Sequence, residues 1–270
     1  MIQPMLAEPI ENHAVYVEEM LDRDGGVIYQ PKLNGARAVA TREGIYSRAG
    51  KRWCDWLHAE MEPLFRDNPD LVLDGELWEE DCGMDLDMVL SRLKGGSKQS
   101  IRFYAFDIIN NDPQYTRIKQ LSDMAESGEI SQLKDDNHPV VYAGGCVVNS
   151  LPEFLEFCIA GIKFNWAEGG IMRFLNAPYK HGRSRDLLKA KFWQSDEFLV
   201  TDVRREAESK PKAIQVAAFG DLHWCPVAGS ASYWRDQGPV LVGKLASVRY
   251  LSFEQVKMVS PVVESIRNYE

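Results

Sequence analysis

Hydrophobic and polar positions follow two regimes along this chain. In the longer, first part, short apolar runs at 27–29, 71–73 and 101–109 read as strands. Around them, stretches at 11–22, 53–65, 114–127 and 152–164 read as helices. Pro152, two residues after Ser150, gives the last of these a capped start. Past Trp193-Gln194-Ser195 the pattern changes. Segments 197–203, 213–218, 239–248 and 255–263 alternate or run apolar between Gly and Pro breaks, which predicts a small all-β barrel of the oligonucleotide-binding type. The expected organisation is an α+β domain over 1–195 and an all-β domain over 196–270.

Composition narrows the class. At 270 residues, with 45% hydrophobic and 26% charged side chains, the chain is too apolar for disorder. No apolar run is long enough to span a membrane, and the first residues lack a signal-peptide pattern. The five cysteines, Cys54, Cys82, Cys146, Cys158 and Cys225, are scattered, which fits reduced thiols in a cytoplasmic setting. A net charge of −9 argues against phosphate-rich partners when taken alone. The acidic excess is uneven: residues 1–195 hold 22 basic and 30 acidic side chains, and residues 196–270 hold 9 and 10.

Lys32-Leu33-Asn34-Gly35-Ala36-Arg37 is the most informative stretch. It places a lysine two residues before an Asn-Gly turn and an arginine two residues after it. Such a corner can present an amine nucleophile, which needs cationic neighbours to depress its pKa. A solvated lysine beside a hairpin turn is the plainer reading of the hexapeptide alone.

Further along come Ser47-Arg48-Ala49-Gly50, Leu73-Asp74-Gly75-Glu76-Leu77, Phe103-Tyr104-Ala105-Phe106-Asp107, Ala167-Glu168-Gly169-Gly170-Ile171-Met172 and Leu188-Lys189-Ala190-Lys191. In this order and spacing, and with Pro4-Met5-Leu6-Ala7 at the start, the chain resembles the ATP-dependent DNA ligases. Capping guanylyltransferases and RNA ligases share a looser version of the same motifs. The resemblance covers the first 195 residues well and the rest in outline. It implies a nucleotidyltransferase (adenylation) domain of antiparallel sheets with helices, followed by an OB-fold domain.

What the resemblance implies for chemistry is specific. Lys32 would attack the α-phosphate of ATP and form a lysine–AMP intermediate. Lys189 and Lys191, alternate residues of a strand, would share one face, neutralise phosphate oxygens and favour the neutral amine of Lys32; a solvated strand face is the alternative. Glu76 would hold the ribose and Glu168 the metal, with Glu76 and Asp107 as further candidates for Mg2+, or for Mn2+ in its place. Each glutamate flanks a glycine, which would let backbone approach a ligand. Asp107 could instead cap a turn. Phe106 would stack on adenine, although a core phenylalanine is the alternative. Gln30 stands where many ligases carry an acid; its main-chain or amide oxygen could accept from the adenine amine. Arg37 and Arg48 would contact sugar or phosphates. Two basic clusters, Arg92, Lys94 and Lys98 in one and Arg183 and Arg185 in the other, would touch the DNA backbone or form a solvated surface.

Two departures from the pattern stand out. Asn34 replaces the usual aspartate after the nucleophile. The C-terminal signature keeps only Pro261 and Arg267, with Tyr269 and Glu270 in place of an acid and a lysine, so either self-adenylation would be slower or Arg267 would act with Lys257 or Lys244. The resulting expectation is a minimal, monomeric, ATP-dependent DNA ligase of prokaryotic or viral type acting on nicked double-stranded DNA. The other readings are an RNA ligase, a capping guanylyltransferase, or a nick-binding protein with an impaired centre.

Overall fold

The computed structural model describes residues 2–79, 86–95, 100–132, 138–164, 166–205, 211–238, 240–250, 252–254, 257–259 and 261–267. The chain divides into two compact units, Met1–Lys191 and Phe192–Glu270. The expected division lay between 195 and 196.

The first unit begins with β1 (Met5–Pro9), α1 (Ala14–Asp24), β2 (Val27–Pro31), β3 (Ala36–Thr41), β4 (Gly44–Ser47) and β5 (Arg52–Trp53). Then follow α2 (Asp55–Glu60), α3 (Glu62–Asp67), β6 (Leu73–Trp78), α4 (Leu86–Gly95), β7 (Arg102–Ile108) and α5 (Gln114–Glu126). It ends with β8 (Val140–Tyr142), β9 (Cys146–Val148), α6 (Leu151–Lys163), β10 (Gly169–Phe174) and β11 (Gly182–Lys191). The strands form two sheets, ordered β1-β11-β10-β2-β9 and β5-β4-β3-β6-β7-β8. Pairing is antiparallel except for β1 with β11 and β7 with β8. Ile28 of the first sheet joins Ala38, Leu73, Phe103 and Ala105 of the second in one core. Leu57, Phe65, Ile118 and Leu121 from α2, α3 and α5 close it.

Local chemistry explains the element boundaries. The helix expected over 53–65 is broken at Met61, because Pro63 has no amide to bond back to Ala59. The strand expected at 71–73 instead starts at Leu73 and runs to Trp78, carrying the acidic Asp74 and Glu76 within it. α6 starts as expected: the Ser150 hydroxyl accepts the Glu153 amide at 3.3 Å.

The second unit holds β12 (Gln194–Arg205), β13 (Pro211–Ala218), β14 (Asp221–Pro226), α7 (Ala231–Asp236), β15 (Leu245–Tyr250), β16 (Ser252–Glu254), β17 (Lys257–Val259) and β18 (Val262–Arg267). Five strands run in the order β14-β13-β12-β15-β18, and a bridge between Val227 and Val263 joins the two sheet edges into a barrel. Trp234 of α7 plugs the core, its indole N–H donating to the Ala228 carbonyl at 2.6 Å. The strand expected at 239–248 begins only at Leu245, after Gly243 takes a left-handed φ of 85°. β14 was not expected, because its inward positions are His223 and Cys225 rather than branched apolar residues.

Replacing Ser150 with Ala removes the cap of α6 and should lower unfolding free energy by about 1 kcal/mol in a denaturant titration.

Candidate active site

The end of β2 and the start of β10 are tied together around Lys32. The Lys32 amide donates to the Gly169 carbonyl at 3.1 Å, and the Glu168 amide donates to the Lys32 carbonyl at 2.9 Å. Gly169 has φ +150°, and a Cβ there would lie 2.1 Å from the Ala190 carbonyl oxygen, so only glycine fits. This pinning sets the Lys32 side chain against Glu168, and the two form an ion pair. Lys191 Nζ lies 3.3 Å from the same Glu168 oxygen. Glu168 is buried, whereas both lysines are partly exposed. Strand register places Lys189 opposite Ile171 and Lys191 opposite Gly169, so the two lysines share a sheet face. Burial lowers the pKa of both, and the charge of Lys32 lowers them further.

The second sheet supplies the facing groups. Arg37 on β3 pairs with Glu76 on β6. Its fork grips Asp74, with Nε to Oδ1 at 2.7 Å and Nη2 to Oδ2 at 2.6 Å. Tyr179 donates to Asp74 at 2.6 Å and accepts the Met5 amide at 2.8 Å, which fastens β1 to this cluster. Burial pushes the Glu76 carboxyl up to about 7, against the pull of Arg37 and Lys32. Lys32, Arg37, Glu76, Glu168, Lys189 and Lys191 therefore form one electrostatically linked group. Strand packing requires the glycines beside the two glutamates. A Cβ at Gly75 would strike the Phe103 ring at 2.4 Å, and one at Gly169 would strike Ala190.

Phe106 sits at a β-bulge. Asp74 and Gly75 are consecutive on β6, yet they face Asp107 and Ala105 on β7, which leaves Phe106 as the extra residue. The Arg37 guanidinium lies 4.4 Å from its ring centroid and that of Arg173 5.4 Å. Gln30 is buried and its amide is fully engaged. Nε2 donates to the carbonyls of Phe106 at 2.9 Å and Gly144 at 3.2 Å, and Oε1 accepts Arg173 Nε at 2.6 Å. The amide oxygen expected to meet adenine is thus already occupied.

Asp107 corrects a second expectation. Its carboxylate is fully buried and accepts from Arg117 Nε at 2.8 Å, Arg173 Nη1 at 2.7 Å, Gln114 Nε2 at 3.2 Å and the Ile108 amide at 2.9 Å. Both oxygens are consumed by protein donors, so this group is an internal counterion and not a metal ligand. Arg117, Gln114, Arg173, Asp74 and Tyr179 were not singled out from the sequence. The isolated acids Asp74 and Asp107 within apolar strands were the available signal, since a buried carboxylate needs a partner. Their partners lie up to 105 residues away and leave no local pattern.

The basic clusters separate. Arg183 and Arg185 are exposed on β11. Arg183 reaches Lys189 electrostatically and donates to the Ala7 carbonyl at 3.0 Å. Arg185 covers the Tyr16 ring at 4.3 Å. Arg92 instead forms an ion pair with buried Glu79, which fastens α4 to the end of β6 and does not suit the expected DNA contact. The Lys94 side chain, Lys98 and residues 268–270 lie outside the described residues. Arg48 is exposed on the turn between β4 and β5. Among the described residues, no group of three or more His, Cys, Asp or Glu is placed to hold a metal.

A two-sheet unit presenting a lysine against a glutamate, followed by an OB-type barrel, defines a covalent nucleotidyltransferase architecture. Within that class the chain belongs to the ATP dependent DNA ligase domain family, whose model matches residues 4–191. A DNA ligase of Haemophilus influenzae is 24% identical over 181 residues, which is 65% of this chain and 61% of that protein. The chain thus spans less than two thirds of the length of this curated relative. Among solved structures, one from a structure–function study of Lig E DNA ligases has 20% identity and a TM-score of 0.72, covering 99% of this chain and 100% of that one. The Chlorella virus DNA ligase-adenylate has 22% identity and a TM-score of 0.57, covering 100% and 99% of the two chains. These likenesses establish the shared fold. Among the described residues, no helix is long and apolar enough to cross a membrane.

Asp107→Asn should destabilise the protein by about 3–5 kcal/mol in chemical denaturation, because it leaves two buried guanidinium groups without a counterion.

Proposed function

We propose that this protein seals nicks between 5′-phosphate and 3′-hydroxyl ends in duplex DNA, using ATP, and that it acts as a monomer in a cytoplasmic setting. The observation that carries this reading is the convergence of Lys32 and Lys191 on one buried carboxylate, Glu168. Lys32 is the nucleophile: its neutral amine attacks the α-phosphorus, a P–N bond forms, and the P–O bond to pyrophosphate breaks. Lys189 and Lys191 face the leaving and transferring oxygens and spread their charge. AMP then passes to the 5′-phosphate of the nick, and the 3′-hydroxyl displaces it.

Glu76 and Glu168 are the two carboxylates that suit a magnesium ion, which takes one or two protein oxygens and completes its shell with water and phosphate. Manganese accepts the same oxygen donors. When bound, the ion supplies charge neutralisation. Arg37 is held by Asp74, so it contributes a fixed positive edge beside the sugar and phosphates. Arg48, Arg183 and Arg185 contact the DNA backbone.

The primary experiment is incubation of the protein with labelled ATP and magnesium, denaturing electrophoresis, then addition of nicked DNA. A covalent label that disappears as the nick closes is the expected result. Labelling by GTP alone would favour a capping enzyme, preference for a ribose 3′ end an RNA ligase, and tight nick binding without label an impaired binding protein. Lys32→Ala should abolish the label and joining of an ordinary nick, yet still seal a pre-adenylated nick. Replacing Arg183 and Arg185 with Gln should weaken nick binding most at low salt. The slope of log K against log salt should fall by about one to two units, as measured by fluorescence anisotropy.

A further inference from the structure

One buried cluster joins the two sheets beside the candidate nucleotide site without itself belonging to the reacting groups. Gln30 and Arg173 are diagonal neighbours on one face of the β2–β10 pair, since Gln30 lies opposite Ile171 and Ile28 opposite Arg173. Both side chains are almost wholly buried. They reach across to β7 of the other sheet at its bulge. A bulged residue leaves its main-chain groups outside the regular ladder. At Phe106 the carbonyl is taken by Gln30 Nε2 at 2.9 Å. The adjoining Asp107 is held by Arg173 Nη1 at 2.7 Å, and the Arg173 guanidinium stands 5.4 Å from the Phe106 ring. Arg173 Nε in turn orients the Gln30 amide at 2.6 Å, so its nitrogen can only point at the Phe106 and Gly144 carbonyls.

We propose that Arg173 and Gln30 are positioning residues for nucleotide binding: together they hold the Phe106 bulge in place and so set the platform on which the base of the nucleotide rests. Neither side chain reads the base itself. The inference rests on the reading of Phe106 as that platform, and the test separates the two. Both residues act before chemistry, on the fit of the base, and leave the phosphate end to the lysines. Loss of the pair therefore weakens nucleotide binding more than it slows transfer.

The test is a double-mutant cycle on lysine–AMP formation, with KM for ATP, kcat and the adenylated fraction measured for Gln30→Met, Phe106→Ala and the double variant. Gln30→Met keeps the side-chain length and removes all three hydrogen bonds. It should raise KM about tenfold with kcat changed less than about twofold, and should raise KM less than about twofold further when Phe106 is already Ala. A lower adenylated fraction with unchanged KM would mean a merely structural role and overturn the proposal. So would an equal rise in KM in both backgrounds. A Phe106→Ala variant with the wild-type KM would overturn the platform reading itself. If Gln30→Met folds poorly, Arg173→Lys supplies the same cycle, because it retains a charge for Asp107 but not the Nε–H that orients Gln30.

Discussion

The two sheets of the first unit are joined at one end by a single buried carboxylate, Asp107, shared between Arg117 on α5 and Arg173 on β10. The position of the two sheets at the Phe106 end of the candidate site depends on this. Lys32, Glu168, Lys189 and Lys191 stand on one sheet, and Arg37, Glu76 and Phe106 on the other. An apolar core alone would hold the sheets together while tolerating small shifts between them. Buried ion pairs add little net stability, because desolvation offsets most of their attraction. What they add is geometric: a displaced sheet would leave a guanidinium or a carboxylate unpaired in the interior, at a cost of several kcal/mol.

Much of this was legible in the chain, and the failures share a physical cause. The lysine corner, the two glutamates and the Lys189–Lys191 strand lie in local motifs, which the family resemblance picks out. The Ser150 cap was readable for the same reason. The Gln30 amide and Asp107 were misjudged because their roles are decided by Arg173, Arg117 and Gln114, and sequence separations of up to 143 residues leave no periodic trace. Arg92 was misjudged in the same way, since a basic side chain in a polar loop region looks solvated until its buried partner Glu79 is seen. The barrel was recognised as a class, yet β14 was missed because its inward-facing residues are not the branched apolar ones that mark strands.

The net charge of −9 averages over groups in very different surroundings. Acidic side chains in the first unit are partly consumed inside it: Asp74, Asp107, Glu79 and Glu168 are all buried against cations. Their negative charge does not reach the surface as a field. The cations that pair with them, Arg37, Arg92, Arg117, Arg173, Lys32 and Lys191, are withdrawn as well. The rest of the surface is therefore no less acidic than composition suggests, and the exposed Arg183 and Arg185 form a local basic stretch on it.

The distribution of burial separates two kinds of electrostatic contact. At the Phe106 end, Asp107 and Arg117 are completely buried and Arg173 is 2% exposed, so these pairs have no access to water and no means of exchange. At the lysine end, Lys32 is 21% and Lys191 25% exposed around a buried Glu168. A partly exposed ammonium can leave a carboxylate for an incoming phosphate, because water and the new anion compensate the loss as it occurs. A fully buried guanidinium cannot. Rigidity at one end and exchangeable pairs at the other are what group transfer requires. On the proposed function the base arrives in one orientation at the first end, while the groups around the phosphorus at the second change partners as bonds form and break.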